Sequence, residues 1–329
     1  MGRKYAKIRL ALPIGSLNHP KRGNTCEIFQ RAGYAIRGYD PGLESPKPAI
    51  ADHPEIELSV GRPQDFPRML AKGQYDIAIM GEDWFREVQN PGVKKIGDLG
   101  YGNVTIVAAV ITSAPYRSLG EFFSKNQKGV ECYTEYPNLT KRWFMSEREY
   151  KRAFGRAAPV IEMHGYETSG RNKKIRIIET AGQTEGFVRR ADQIMVDNIQ
   201  TGETLKKHRL KVLATLMESQ AGLYKGPTCT DDKERKAEEI FKMLRGAAVA
   251  KSYYDVWFNT RSDATKNIIE YLEKERLCIA EPTIIPPQVG QKYASVHILA
   301  PKDRWANCAP RLWKLGAEGI VVTQPTQVI

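Results

Sequence analysis

Short apolar segments that run into a glycine turn and then into a helical segment recur through the first part of this sequence. Lys7 to Pro13 has the pattern of a strand and meets a turn at Gly15. The apolar segment Ile77 to Met80 ends at Gly81, and Glu82 to Gln89 then has a helical pattern. A strand, a glycine turn and a helix, repeated along a chain, are typical of an α/β fold.

The rest of the sequence predicts a second α/β unit and a small C-terminal domain. The second unit starts with the apolar strand Val104 to Ile111, and a helix follows Asn138, which we expect to be its N-cap. The stretch Gly155 to Lys174 is polar and basic and predicts a long loop or a hairpin. A helix rich in Lys and Glu, Asp231 to Ala250, connects to a final βαββαβ pattern, which is the ferredoxin-like arrangement.

Composition and charge restrict the kinds of partner. Of the 329 residues 41% are hydrophobic, and no apolar run reaches the roughly 18 residues that a membrane-spanning helix needs. The five cysteines are scattered and the N-terminus has no apolar leader region, so we expect a reduced cytoplasmic protein. The net charge of +12 favours polyanionic partners, either nucleic acid or phosphorylated small molecules. No RNP-like motif, zinc finger or basic coiled coil supports nucleic acid, and a generally solvated basic surface explains most of these charges.

The segment from Ile194 to Leu205 carries the strongest chemical signal. A buried apolar strand ends at Asp197, and a short loop with Thr201, Gly202 and Thr204 then opens a helix. Backbone N–H groups at a helix start attract anions, and a glycine lets the backbone approach a ligand closely. The residues alone leave two interpretations open, a phosphate-binding loop or an ordinary capped helix in which Thr201 is the N-cap.

This segment resembles the phosphoribosyl pyrophosphate loop of the ATP phosphoribosyltransferase family. Further segments that resemble the family occur in its order along nearly the whole chain: Ala11 to Leu17, Arg62 to Pro67, Asp76 to Asp83, Tyr136 to Phe144, Gly182 to Glu185, Pro282 to Pro286, Val296-His297 and Gly316 to Ile320. The chain is similar to the long form of the family, which has a C-terminal regulatory domain. The resemblance implies two α/β lobes like those of periplasmic binding proteins, with the site in the cleft between them.

The resemblance also implies a domain division and a reaction. We expect the first catalytic lobe at 1–103 and 195–230, the second at 104–194, a connector helix at 231–250 and the regulatory domain at 251–329. The reaction would join N1 of ATP to C1 of the ribose of phosphoribosyl pyrophosphate and release pyrophosphate with the help of Mg²⁺. A homohexamer or dimer and feedback inhibition by histidine are implied as well.

Site residues follow from the matching positions. Phosphoribosyl pyrophosphate is expected at Asp197, Asn198, Thr201, Gly202, Glu203 and Thr204, with Asp197 and Glu185 as catalytic residues. The purine nucleotide is expected at Gly15, Ser16, Arg62, Asp65, Gly81 and Glu82. The effector is expected at Thr283, Ile285, Ser295 and His297, and no metal ligands are assigned. Glu185 is expected at the start of a helix that begins at Gly182, where helix capping is the simpler alternative role.

Three departures from the family pattern keep other functions open, and one of them is the net charge of +12, which is unusual for the family. The first-strand turn of the family carries a Lys and an Arg where this chain has Ile14 and Ser16, although Lys21 and Arg22 follow closely. The basic stretch at 155–174 is also longer than in the family. The alternatives are a paralogue that ribosylates another purine nucleotide and a ligand-binding or regulatory homologue without catalysis.

Overall fold

The residues that the computed structural model describes are 7–21, 23–42, 50–200, 202–288, 290 and 292–329. They divide into two units, one made of Met1–Cys26 and Ile36–Glu238 and the other of Glu27–Ala35 and Glu239–Ile329. No helix in the described ranges is long and apolar enough to cross a membrane.

The N-terminal sheet of the first unit is built around parallel strands. The chain up to Asp98 contains β1 (Ile8–Pro13), β2 (Asn18–His19), β3 (Gly23–Asn24), β4 (Ile36–Arg37), β5 (Ile50–Ala51), β6 (Ile56–Gly61), β7 (Ile77–Gly81) and β8 (Lys94–Asp98), with helices α1 (Thr25–Arg31), α2 (Phe66–Ala71) and α3 (Glu82–Val88). The sheet order is β6-β1-β7-β16-β8, where β16 (Ala221–Lys225) enters late from the chain. All residues of β7 are buried, as expected for a central strand covered on both faces.

The second sheet of the same unit has seven strands. They and the accompanying helices are β9 (Val104–Ile111), α4 (Leu119–Lys125), β10 (Val130–Thr134), α5 (Pro137–Ser146), α6 (Arg148–Phe154), β11 (Pro159–Met163), β12 (Tyr166–Ser169), β13 (Asn172–Glu179), β14 (Gln193–Ile199), α7 (Glu203–Lys207) and β15 (Leu210–Ser219). The order is β12-β11-β13-β10-β14-β9-β15, and β10 is parallel to both β13 and β14. The aromatic rings of Phe122, Phe123, Phe144 and Tyr150 are fully buried beside this sheet.

The second unit contains one antiparallel sheet and its helices. After α8 (Asp232–Ala250) come β17 (Tyr253–Arg261), α9 (Thr265–Lys274), β18 (Thr283–Ile285), β19 (Tyr293–Pro301), α10 (Lys302–Lys314) and β20 (Ala317–Thr323). The order β18-β19-β17-β20 is the ferredoxin-like arrangement. Apolar side chains on alternate positions of β17 and β19 pack against Ile268 of α9 and Leu312 of α10. The predicted fold class, two α/β lobes followed by a βαββαβ domain, is confirmed.

The predicted boundary between the lobes is wrong. Both β14 and β15 pair with β9, so the second sheet continues to Ser219, and only β16 returns to the first sheet. Residues 27–35 also group with the C-terminal unit instead of the first lobe. Strand pairing between segments distant in sequence decides the lobe boundary, and a local pattern does not contain it.

Two local predictions need correction, and the structure decides between the alternatives of a third. The helix expected after Asn138 is two helices separated at Glu147, whose backbone is extended (ψ 131°). No helix starts at Gly182, where φ is +97°, and only a single 3-10 turn, Thr184–Gly186, follows. Of the two alternatives for the 155–174 stretch, the hairpin is correct, because β11 and β12 pair as antiparallel neighbours.

The buried carboxylate of Asp76, directly before β7, accepts hydrogen bonds from three other segments of the chain. Its oxygens accept hydrogen bonds from the Arg9 guanidinium (2.8 Å), the Thr228 hydroxyl (2.7 Å) and the Lys233 ammonium (2.9 Å). Burial alone would raise the pKa of this carboxyl, but these donors hold the pKa well below its usual range. Asp76 thus links β1, β7, the segment after β16 and the start of α8.

We expect Asp76→Asn to lower the free energy of unfolding by about 2–3 kcal/mol at pH 7, since two cations lose their charged partner. The folded pKa of Asp76 is depressed, so its stabilising contribution is complete above the unfolded pKa of about 4 and is lost as the pH falls toward the folded pKa. Urea unfolding at pH 7 and pH 3.5 should therefore give a smaller difference between variant and wild type at the lower pH.

The control is Asp192→Asn, which removes a carboxylate from an exposed pair with Arg190. An exposed pair contributes little, so this variant should unfold like the wild type. An Asp76→Asn protein as stable as the control would contradict the role assigned to this carboxylate.

Candidate active site

Two adjoining cavities lie where the carboxyl ends of the parallel strands of the first unit meet. The first has a volume of about 320 Å³ and is lined by Ile14, Gly15, Ser16, Leu17, Arg62, Pro63, Gln64, Gly81, Asp83, Trp84, Gly102, Val104, Glu135, Tyr136, Asn198 and Gln200. The second, of about 590 Å³, is lined by Ser16, Lys21, Val104, Glu135, Gln183, Glu185, Met195, Asp197, Asn198, Ile199, Gln200, Gly202, Glu203, Thr204 and Leu205. Five shared residues make the two cavities one cleft, at the position where open α/β sheets usually bind ligands.

The loop between β14 and α7 faces the second cavity. Asp197, Asn198, Gly202, Glu203 and Thr204 all line it, so the structure brings together the described members of the predicted phosphate loop. Thr201 lies outside the described residues, as does Arg22. Gly202 has φ +71°, and a Cβ placed on it would have no atom within 4 Å, which leaves the backbone open to the cavity.

The Asp197 carboxyl is buried within β14, which continues past it to Ile199. Burial raises its pKa to about 6, and the charges of Glu185 and Asp83 act in the same direction against hydrogen bonds from Thr184 and the Asn198 N–H. Glu185 itself lies in the 3-10 turn and lines the second cavity, so it is near Asp197 although the predicted helix is absent. The catalytic residues predicted from sequence therefore share one wall.

The predicted nucleotide residues divide into two groups. Gly15, Ser16, Arg62 and Gly81 line the first cavity. Asp65 lines neither cavity of the cleft and faces Arg68 on the adjoining helix, with an N···O distance of 3.8 Å. Glu82 forms ion pairs with Arg86 (2.6 Å) and Lys95 (2.7 Å) and lines a third cavity, which shares Val104, Ile199 and Gln200 with the second. Asp65 therefore lies outside the cleft, and Glu82 lies in a cavity that adjoins it.

The cleft contains acids that the sequence analysis did not assign. Asp83 is buried, and its carboxyl accepts hydrogen bonds from the Ser219 hydroxyl (2.6 Å) and the Tyr136 hydroxyl (2.7 Å). Burial raises the pKa of Asp83 despite these two donors. Asn198 in turn donates to the Tyr136 oxygen (3.0 Å), which joins Asp83 to the strand that carries Asp197.

Glu135 is the second unassigned acid, and it lines both cavities. Burial, followed by the charges of Asp197, Asp83 and Glu185, raises its pKa to about 7, while Arg62 acts in the opposite direction. Its position directly after the buried strand β10 is the signal that could have identified it, because the same reasoning selected Asp197.

Charge in the cleft is unevenly distributed. Among the described lining residues there are two cations, Arg62 and Lys21. The acids of both cavities are Asp83, Glu135, Glu185, Asp197 and Glu203. No group of three or more His, Cys, Asp or Glu side chains in the described ranges is arranged to hold a metal ion.

The predicted effector residues lie together on the C-terminal sheet. Thr283 is paired with His297 and Ile285 with Ser295 across β18 and β19, so all four share the face opposite the helices. On the same sheet the His297 ring stacks on Trp257, with centroids 4.4 Å apart, and its Nε2 is 2.7 Å from an Asp255 oxygen. The face thus combines an imidazole, a carboxylate and exposed apolar side chains.

Comparison with known proteins identifies relatives of similar length. The relatives include proteins named ATP phosphoribosyltransferase from Solibacter usitatus, 26% identical over 95% of this chain and 96% of that protein, and from Solidesulfovibrio magneticus, 27% identical over 98% of each. A solved structure, the ATP phosphoribosyl transferase (HisG:HisZ) complex from Thermotoga maritima, is 20% identical with a TM-score of 0.49 over 72% of this chain and 96% of that chain.

The family model described as ATP phosphoribosyltransferase matches residues 62–246, which is more than half of the chain. The matched range includes Arg62, the acids after β7 and β10, and the whole loop from β14 to α7. This chain therefore belongs to the ATP phosphoribosyltransferase family.

Proposed function

We propose that this protein transfers the phosphoribosyl group of phosphoribosyl pyrophosphate to N1 of ATP and releases pyrophosphate, the first step of histidine biosynthesis. The observation that carries the proposal is the loop from β14 to α7. It presents Gly202, Glu203 and Thr204 to a cavity that also contains Asp197 and Glu185. The family membership of the chain supports the same reaction.

The second cavity suits the phosphoribosyl donor. Backbone N–H groups beside Gly202 and the hydroxyl of Thr204 can donate to phosphate oxygens, and Asp197 can accept hydrogen bonds from the ribose hydroxyls. When the C1–O bond to pyrophosphate breaks, positive charge develops at C1, and the carboxylates of Asp197 and Glu185 stabilise it. The reaction needs little proton transfer, so alignment of the two substrates supplies much of the rate.

The first cavity suits the purine acceptor. Trp84, Tyr136 and Val104 provide apolar and aromatic surface for a flat base, and Arg62 provides a cation for a phosphate. The cavity adjoins the donor cavity, so N1 of a base held there can reach C1 of the donor.

Mg²⁺ is proposed to arrive bound to the donor's pyrophosphate, as part of the substrate. The cleft has five acids and two cations among its described lining residues, so the highly charged pyrophosphate needs a countercharge that these residues do not supply. The bound ion neutralises the leaving pyrophosphate.

One observation favours a second candidate function, in which the acceptor is another purine nucleotide. Ile14 and Ser16 line the first cavity at positions where the family carries cations, which leaves Arg62 as the one cation among its described lining residues. A cavity with one cation binds a triphosphate less tightly than one with three. The third interpretation, a ligand-binding homologue without catalysis, predicts no turnover with any purine nucleotide.

An acceptor screen tests the reaction. Purified protein incubated with phosphoribosyl pyrophosphate, Mg²⁺ and ATP should form phosphoribosyl-ATP, measured by its absorbance and by mass. Product with AMP or GTP but none with ATP would support the paralogue. Absence of product with all three nucleotides, together with retained binding of phosphoribosyl pyrophosphate, would leave only the non-catalytic homologue.

The Gly202→Val substitution tests the donor loop. A branched side chain would fill the open space beside this backbone and hinder close approach of the phosphate, so affinity for phosphoribosyl pyrophosphate should fall at least about 100-fold. The measurement is calorimetric titration with the Mg²⁺ complex of phosphoribosyl pyrophosphate.

The matched control is Gly155→Val. Gly155 also has a positive φ (+78°) and would have no atom within 4 Å of an added Cβ, but it lines neither cavity. Valine is more strained at Gly155 (ψ −159°) than at Gly202 (ψ 1°), so a loss of affinity confined to Gly202→Val cannot come from backbone strain alone. Equal affinities in the two folded variants would contradict the phosphate-binding role of the loop.

We further propose that the C-terminal sheet binds histidine as a feedback inhibitor and takes part in an oligomer, a dimer or hexamer. The exposed face with Trp257, His297 and Asp255 offers a ring for stacking and a carboxylate for an amino group. Inhibition requires that histidine prefer one of two states of the enzyme.

Titration of histidine into the rate assay tests this proposal. Histidine should inhibit the wild type, and Trp257→Ala should raise the inhibitory concentration by about tenfold or more, because stacking on the sheet face is lost. Trp313→Ala is the control, since Trp313 is another exposed tryptophan of the same unit but lies on α10. Equal inhibition of wild type and Trp257→Ala would exclude this face as the histidine site.

A further inference from the structure

Glu135 is an acid of the cleft to which the described residues offer no partner. Its side chain makes no hydrogen bond and no ion pair with any described residue, although it is more than half withdrawn from solvent in the cleft. Neighbouring acids have partners: Asp83 has two hydroxyl donors, and Asp197 accepts the N–H of Asn198 at 2.7 Å. A carboxyl group that is desolvated and unpaired costs stability, which favours a partner supplied by a ligand.

The position of Glu135 identifies which part of a ligand it meets. It directly follows β10 and lines both the acceptor and the donor cavity. The backbone of Gly182 lies beside this carboxyl group, because a Cβ added to Gly182 would be 3.4 Å from the Glu135 Oε1 atom. The bond between N1 of the base and C1 of the ribose has to form at this junction, so the group beside N1 is the one within reach of the carboxylate.

In a 6-aminopurine the group beside N1 is the exocyclic amino group, which donates hydrogen bonds. When the N1 lone pair forms the bond to C1, pyrophosphate leaves with the C1–O bonding electrons and no proton has to move. The purine ring becomes cationic, and its positive charge extends to the 6-amino group, whose N–H becomes a stronger donor. A carboxylate that accepts this N–H is therefore bound more strongly in the transition state than in the ground state.

We propose, on the basis of the proposed function, that Glu135 recognises the 6-amino group of the acceptor purine and selects 6-aminopurine nucleotides for the transfer. The alternative is that Glu135 only stabilises the fold. This role is disfavoured because its side chain has no partner among the described residues. Glu135 thus contacts substrate and contributes to both specificity and rate.

The test compares two acceptors that both keep the N1 lone pair, ATP and purine riboside 5′-triphosphate, which lacks the 6-amino group. We expect the ratio of their kcat/KM values, ATP over the analogue, to fall by about tenfold or more from wild type to Glu135→Ala, because an interaction with a charged acceptor is lost only for ATP. Intrinsic differences in the reactivity of the two bases cancel in this comparison of ratios.

The Glu135→Gln variant separates charge from shape. Its amide oxygen still accepts a hydrogen bond, so KM for ATP should change little, whereas kcat should fall because the negative charge is lost. Glu131→Gln, on the strand that directly precedes Glu135, is the control, since Glu131 pairs with Arg190 and Gln193 outside the cleft. It should keep the wild-type ratio and kcat.

The pH dependence of kcat/KM provides an independent readout. The carboxylate is the form that accepts the N–H, so the wild-type rate with ATP should rise as the pH passes about 7, the pKa of Glu135. The charged groups that face it are Asp197, Asp83, Glu185 and Arg62. In Glu135→Gln the rise near pH 7 should be absent, and a rise near pH 6 from Asp197 should remain.

The outcomes distinguish this inference from the proposed function. If the wild type forms product with ATP but Glu135→Ala slows both acceptors by the same factor, Glu135 does not recognise the amino group and the inference is overturned. If the wild type forms no product with either acceptor, the proposed function fails. A fold check by circular dichroism of each variant shows that the rates refer to native protein.

Discussion

Two buried carboxyl groups on α3, those of Asp83 and Glu87, connect the two sheets of the first unit. Asp83 accepts hydrogen bonds from Tyr136, at the end of β10, and from Ser219, at the end of β15. Glu87 accepts the backbone N–H groups of Asn138 (3.0 Å) and Leu139 (2.7 Å), which are free donors in the first turn of α5. Helix α3 directly follows β7 of the first sheet. The hydrogen bonds of both acids therefore hold the second sheet against the first.

The geometry of the cleft depends on this connection. Tyr136 lies between Asp83 and Asn198, and Asn198 is adjacent to Asp197 in β14. One chain of hydrogen bonds therefore fixes the wall of the acceptor cavity relative to the strand that leads into the donor loop. A buried charge such as Asp83 is costly without such donors, so the connection can be broken only at a large loss of stability.

The cleft combines features that would be unfavourable in an ordinary protein interior. Burial raises the pKa values of Glu135 and Asp197, and the charge of the nearby Asp83 raises both further. Groups with raised pKa values tend to collect where ligands bind, because a cation, a metal complex or a developing positive charge can relieve their repulsion. In the proposed reaction, the ribose carbon that becomes positive as pyrophosphate leaves meets this description.

The amino-acid sequence determined the class of fold and the residues of the loop that we propose binds the donor. Apolar segments of strand length that end in glycine turns predicted β1, β7 and β9, and the βαββαβ order of the C-terminal domain followed from the same local patterns. The loop after β14 was recognisable because a phosphate site there needs only consecutive residues, an acid, a glycine and hydroxyls, whose chemistry is readable from their order.

Only the tertiary structure decided which segments pair and which side chains meet. Asparagine is a common N-cap residue, so the sequence predicts that Asn138 caps its helix. In the structure, Glu87, from a helix about fifty residues earlier, caps the first turn of α5, and no local pattern encodes this contact. The return of β16 to the first sheet moved the boundary between the lobes in the same way. No feature of the sequence distinguishes Glu135 from other glutamates. The structure distinguishes it, because three other acids lie near it and it lines two cavities. A raised pKa and a missing partner depend on neighbours in space, which the sequence does not list.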